Sequence, residues 1–242
     1  MSEGASRPPG RASGAPLIPG IYSYCDQRCE RCRFAQRCLS YLERQRFENG
    51  ELDLDDEPDA DLSLLPAGLA GYSALESTLS AMTPEDSVRL DSGSDVSRER
   101  LHAHPLVIAA RQYALTAWKV TGALWAYVQK RGDPAVLDAV ESVAALADVV
   151  ASKTYRAVSG SLDPGFDARD VASDANGSAK IARLVVDESR RAWRTLIEVD
   201  RPADGGVPER LIRALDEIDV GLAARFPRAM DFVRPGFDGE VR

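Results

Sequence analysis

The sequence predicts an all-α protein: an antiparallel four-helix bundle preceded by a small cysteine-rich segment and a disordered N-terminus. Three observations carry that expectation. Apolar residues of the C-terminal half recur at alternating steps of three and four, the period of one helix face. No alternation of apolar and polar residues runs long enough to make a useful strand. All four cysteines of the 242 residues lie between positions 25 and 38.

Residues 1–19 are rich in Gly, Pro, Ser and Arg. They hold too little apolar surface to offset the entropy of ordering and are expected to be disordered. They also lack the apolar run of a signal peptide. Residues 20–50 carry the cysteines and then a helix, LSYLERQRFE, stopped by Asn49-Gly50. Residues 51–62 read as an acidic linker, with Glu51, Asp53, Asp55, Asp56, Glu57, Asp59 and Asp61 forming a solvated run. Contact between this run and the basic cysteine segment is the sharper alternative. Residues 63–242 are assigned to the helical bundle domain. Its first part, 63–98, can form one or two short helices, broken by Pro66 and the glycines.

The long helices follow from their stripes. Leu106, Ala110, Tyr113, Ala117, Val120, Leu124 and Tyr127 line one face, and Val136, Val140, Val143, Ala147, Val150, Thr154 and Ala157 line the next. Gly132-Asp133-Pro134 separates them, with Asp133 suited to cap and Pro134 to the first helical position. So short a connection requires an antiparallel hairpin. A third helix is expected over about 174–200, capped by Asp174, and a fourth from Pro208 to about 226, with Leu211, Leu215, Ile218 and Leu222 as its stripe. Four such helices pack most simply up-down-up-down.

Cys25, Cys29, Cys32 and Cys38 are spaced Cys-x3-Cys-x2-Cys-x5-Cys. A disulfide framework would spread its cysteines to staple distant segments; four clustered thiolates instead form a metal ligand set, for tetrahedral zinc or for a cubane iron–sulfur cluster. Thiolate burial is expensive without a cation, so metal and local fold are expected to form together. Zinc sites usually use two Cys-x2-Cys knuckles set well apart, and only one such pair exists here. The compact, unequal spacing suits a [4Fe-4S] cluster first and zinc as the alternative. Arg28, Arg31, Arg33 and Arg37 interleave with the cysteines and are expected to offset part of the net charge of about −2 that either four-thiolate site carries. A centre with every position filled by protein favours a structural or electron-transfer role over Lewis-acid catalysis.

The last three cysteines, in CERCRFAQRC, follow Cys-x2-Cys-x-Phe-x3-Cys. This segment, Cys29–Cys38, resembles the iron–sulfur clasp near the C-terminus of recombination and CRISPR-associated nucleases. In those families the remaining cysteine lies far upstream, whereas Cys25 is only four residues before Cys29. No nuclease acid–lysine motif accompanies it, so the resemblance implies the cluster type and nothing about activity. Cys-x3-Cys-x2-Cys also resembles radical-SAM enzymes, whose α/β barrel a helical chain cannot supply.

Other polar residues read less sharply. Glu141 and Asp148 share a helix face, and Glu188 lies near the apolar side of the third helix. Inward carboxylates make a second metal site in ferritin-like proteins, but Glu-x-x-His is absent from these helices; surface carboxylates, or an ion pair with Arg191 or Lys153, are expected. His102 and His104 precede Pro105 and read as a helix entry, two histidines alone not defining a metal site. Lys180 and Arg183, near the start of the third helix, can hold a phosphate or carboxylate there; with no Walker loop, an ordinary cap is expected. Trp118 and Trp125 sit off the core stripe, placed to pack against residues 63–98 or an identical subunit.

Net charge is −8, which disfavours nucleic acid as a partner. No stretch approaches the roughly 20 apolar residues that span a bilayer. With clustered thiols, these features predict a cytoplasmic protein whose partner is another protein or a second copy. The expected function is a metal-binding electron-transfer or protein-interaction module. A zinc-stapled helical regulatory protein and a redox enzyme using carboxylates inside the bundle are the alternatives.

Overall fold

The computed structural model describes residues 15–50, 98–199 and 206–239, and among them every regular element is helical. The expectations for residues 1–14, for the acidic linker 51–62 and for 63–97 lie outside the described residues. The elements are α1 (Leu39–Glu48), α2 (Pro105–Arg131), α3 (Pro134–Ser161), α4 (Asp174–Val199) and α5 (Val207–Arg225), with 3-10 turns at Ile21–Tyr24, Cys29–Arg31, Ala35–Arg37 and Ala229–Asp231. No helix among the described residues is long and apolar enough to cross a membrane.

The chain divides into two compact units, Met1–Leu42 with Leu101–Arg242, and Glu43–Arg100. In the smaller unit the second half of α1 carries an Arg44–Glu48 pair at 3.7 Å and ends at Gly50, whose φ of 68° is the left-handed conformation that glycine adopts without penalty. The larger unit holds the cysteines and all four long helices.

The helix ends are set by local chemistry. At α2, the His104 Nδ1 accepts the Leu106 N–H at 3.2 Å, ahead of Pro105. Burial, with the charge of Arg225, holds the His104 pKa below its ordinary value and so favours the neutral ring that this bond requires. Gly132, at φ 68°, closes the helix by donating to the Val128 carbonyl. Asp133 caps α3 by accepting the Ala135 N–H at 3.0 Å, as its position predicts. At α4 the cap is Ser173 and not Asp174: the Ser173 Oγ accepts the Asn176 N–H at 3.3 Å. The Asp174 carboxylate is engaged by Arg156 and Tyr24, partners that spacing along α4 does not reveal.

The long helices pack in ring order, α3 against α2 and α4, and α5 against α2 and α4. The predicted stripes of α3 and α5 are all buried. On α2, Ala110, Tyr113 and Ala117 are buried, with Leu106, Val120 and Leu124 partly so. Each fully buried Val, Leu or Ile contributes roughly 1.5–3 kcal/mol relative to exposure. Trp193 of α4 is fully buried, and its indole N–H donates to the Tyr113 hydroxyl at 3.2 Å, so the largest core side chain leaves no unpaired donor. On the opposite side of α2, Ile108, Leu115, Trp118 and Trp125 are exposed.

Candidate metal centre

The cysteine segment winds through its three short turns, and a cysteine sits at a boundary of each. Cys25 ends the first turn and Cys29 begins the second. Cys32 donates its N–H to the Cys29 carbonyl at 3.2 Å, and Cys38 donates to Ala35 at 3.1 Å before opening α1. Between Cys25 and Cys29 the backbone reverses through Gln27 at φ 61°, a conformation that costs a non-glycine residue about 1–2 kcal/mol.

These turns bring all four cysteines to one cleft, walled by Ile21, Ala35, Tyr41 and Phe237 and edged by Asp26, Gln27 and Arg28. It encloses about 290 Å³, its open side included. Cys38 is buried and the other three are partly buried, and none is in a disulfide. Among the described residues no group of three or more His, Cys, Asp or Glu stands arranged to hold a metal ion. The four thiols thus border a common space without meeting at one point. Burial pushes the Cys25 thiol above its ordinary pKa, against a backbone hydrogen bond from Gln27 and the charge of Lys153.

The segment is fixed to the long helices by polar bonds. Lys153 of α3 donates to the Ser23 carbonyl at 2.6 Å. The Tyr24 hydroxyl donates to Asp174 at 2.8 Å, and burial together with that carboxylate pushes the Tyr24 pKa up to about 12. Arg28 bridges Asp26 and Glu188, and Arg31 reaches Asp138 at 2.7 Å and Glu141 at 3.4 Å. Arg33 stacks on Phe34, and Arg37 donates to the Pro16 carbonyl at 2.9 Å. Arg28 and Arg31 therefore anchor the segment to the helices, while Arg33 and Arg37 bond within it, tasks their sequence positions do not disclose.

The apolar contribution is smaller and comes partly from the far end of the chain. Ile18, in the stretch expected to be disordered, is buried with Ile21 and Cys38 against Phe34, Tyr41 and Phe237. Phe34 and Phe237 meet edge to face at 5.2 Å. Tyr24 packs on Phe232 at 4.6 Å, and both rings lie over Gly177 of α4, where a Cβ would stand 2.5 Å from Tyr24 and 2.8 Å from Phe232. Sequence reasoning missed this C-terminal strap; its only signal is the aromatic residues Phe232 and Phe237 in a Gly- and Pro-containing tail.

The remaining candidates are not brought together. Glu141 and Asp148 are exposed, and Glu188 pairs with Arg28 instead of Arg191 or Lys153. Arg191 donates to the Asp187 carbonyl at 3.4 Å. His102 lies 5.8 Å from the Tyr155 ring, while His104 caps α2. Lys180 is held by the Phe232 carbonyl and Asp238, both at 2.6 Å, and Arg183 by Asp219 at 2.7 Å; neither faces a free anion site. Trp118 and Trp125 lie exposed on the outer side of α2. Comparison of the chain with family models, with curated proteins and with solved structures found no match.

Proposed function

We propose that Cys25, Cys29, Cys32 and Cys38 together ligate one [4Fe-4S] cluster, in a segment docked on an antiparallel four-helix bundle that serves electron transfer or protein interaction. The observation that carries this reading is that every cysteine of the chain lines a single cleft. The cleft surface is mainly apolar, and four sulfurs there as thiolates need a cation. Zinc–sulfur bonds of about 2.3 Å require four sulfurs to converge on a point. The compact, unequal spacing of the four cysteines suits a larger inorganic core. With four protein ligands the cluster has no vacant site, so its chemistry is outer-sphere electron transfer or structural support. Retention of such a centre fits a reducing, cytoplasmic compartment. The exposed apolar residues of α2 support docking of a partner protein or a second copy.

The test is anaerobic purification with iron, sulfide and zinc analysis and a visible spectrum. The expected material is brown, with about four irons and four sulfides per chain. Colourless protein with one zinc per chain replaces the cluster with a zinc staple and removes electron transfer. Protein holding neither metal, with all four thiols alkylated at once in the folded state, ends the reading.

A further inference from the structure

Lys153 stands where helix packing alone gives no reason for a charge. It is 4% exposed, on the face of α3 that meets the cysteine segment. Among the described residues its ammonium donates to the Ser23 carbonyl, two residues before Cys25. A buried ammonium is strongly disfavoured unless a negative charge faces it, and among the described residues no carboxylate pairs with it.

The charged groups around it are few. Burial is the largest influence on it and holds its pKa below the ordinary value; Cys25 of the segment, as a thiolate, and Asp174 of α4 attract it, and Arg156 of α3 repels it. Asp174 is already satisfied by two bonds from Arg156 and one from Tyr24. Of the segment's arginines, Arg28 and Arg31 are committed to carboxylates, Arg33 to the Phe34 ring and Arg37 to a carbonyl. That leaves Lys153 as the buried cation against the segment that has no carboxylate partner among the described residues.

We propose that Lys153 is the internal counter-ion of the four-thiolate centre, acting through Cys25. The inference rests on the cluster reading above and deepens it by naming what tunes that site. Four thiolates around a [4Fe-4S] core carry a net charge of about −2 in the oxidised state, and one-electron reduction by an external donor adds one more negative charge to the centre. A fixed cation in a desolvated position favours the more negative state, so Lys153 raises the reduction potential. It acts as a positioning and tuning residue and is not a ligand.

The experiment uses the full chain, purified anaerobically, as wild type, Lys153→Met, Lys153→Gln and Lys153→Arg. Gln keeps a donor toward the Ser23 carbonyl without the charge, and Arg keeps the charge. Redox titration is expected to give Met and Gln variants a lower potential. The expected shift is about tenfold in the reduced-to-oxidised ratio at a set potential, or ~59 mV for one electron. Arg is expected to restore the wild-type value. The metal-free Met variant is expected to melt no lower than the wild type, because it buries no charge. A loaded Gln variant with the wild-type potential overturns the counter-ion role and leaves the cluster reading intact. Equal destabilisation of Met, Gln and Arg variants, with unchanged potentials, reduces Lys153 to a structural post and overturns it too. Wild-type protein that holds no metal overturns both proposals. Where the wild type holds zinc, loss of zinc to a chelator replaces the potential: about tenfold faster loss in Gln supports the role, and an unchanged rate overturns it.

Discussion

The cysteine segment and the four long helices are held by different forces. Along α3, Val136, Val140, Val143, Ala147 and Val150 are all buried, one after another at the helical period. The helix forms its own backbone bonds, and what it needs from the rest of the chain is apolar surface to cover one face. The segment has three short turns and buries only Ile18, Ile21 and Cys38. Its place is set by Lys153, Arg28, Arg31 and Tyr24, each bonded across more than a hundred residues of chain. One region is stabilised by area, the other by a handful of directed polar bonds and, on the reading proposed above, by a metal centre. Stability of the two should therefore be separable.

The harshest way to test that separation is to remove core area. Trp193→Ala is expected to cost about 3–5 kcal/mol, seen as a lower urea midpoint; the segment, which docks on α3 and α4, falls with the helices, so the separation runs one way and the helices can outlast the segment but not the reverse. A smaller and more local effect is expected from Gly177→Ala. The added Cβ meets the Tyr24 and Phe232 rings, and displacing them costs about 1–3 kcal/mol. Hydrogen exchange should show the turns at Ile21–Tyr24 and Ala229–Asp231 losing protection while the centre of α3 keeps it. Uniform loss across both regions would show that they do not separate.

The C-terminal strap gives a pH-dependent test. Burial raises the Asp238 pKa, but Arg234 and Lys180 outweigh it and hold the carboxyl well below its usual range. A depressed folded value contributes stability above the unfolded pKa of about 3.9 that is lost as pH falls below it. Asp238→Asn is expected to cost about 1–2 kcal/mol at neutral pH and to flatten the decline of stability below about pH 4. An unaltered slope would remove Asp238 from the account. The smallest effect is expected from Arg28→Ala. Glu188 is about a third exposed, so solvent screens the pair and its loss should cost about 0.5–1 kcal/mol, shrinking as salt is added. Proteolysis at Arg31 and Arg33 should still quicken, since that pair shares with Tyr24 the attachment of the segment to α4.

The same contrast decides what was legible in the sequence. The stripes of α2, α3 and α5 and the cap at Asp133 follow from residues within a few positions of one another, and spacing reports such things directly. Helix starts were harder where tertiary bonds compete: Asp174 is drawn away by Arg156, leaving Ser173 to cap. The cysteine pattern marked the place of the site. It gave no hint that Phe237 walls the cleft, that Arg28 and Arg31 are anchors, or that Lys153 bonds the Ser23 carbonyl. Those are pairings between distant positions, and no periodicity encodes them.

The cleft takes its sulfurs from residues 25–38 and one of its walls from Phe237, and Gly236 stands within van der Waals reach of Ile18 and Ile21. A growing polypeptide emerges from the ribosome N-terminus first. The thiols are thus translated long before the aromatic ring that walls their cleft. The cleft is therefore completed only when the last residues of the chain fold back on the first, and any guest of the thiols would meet an open face before a walled one.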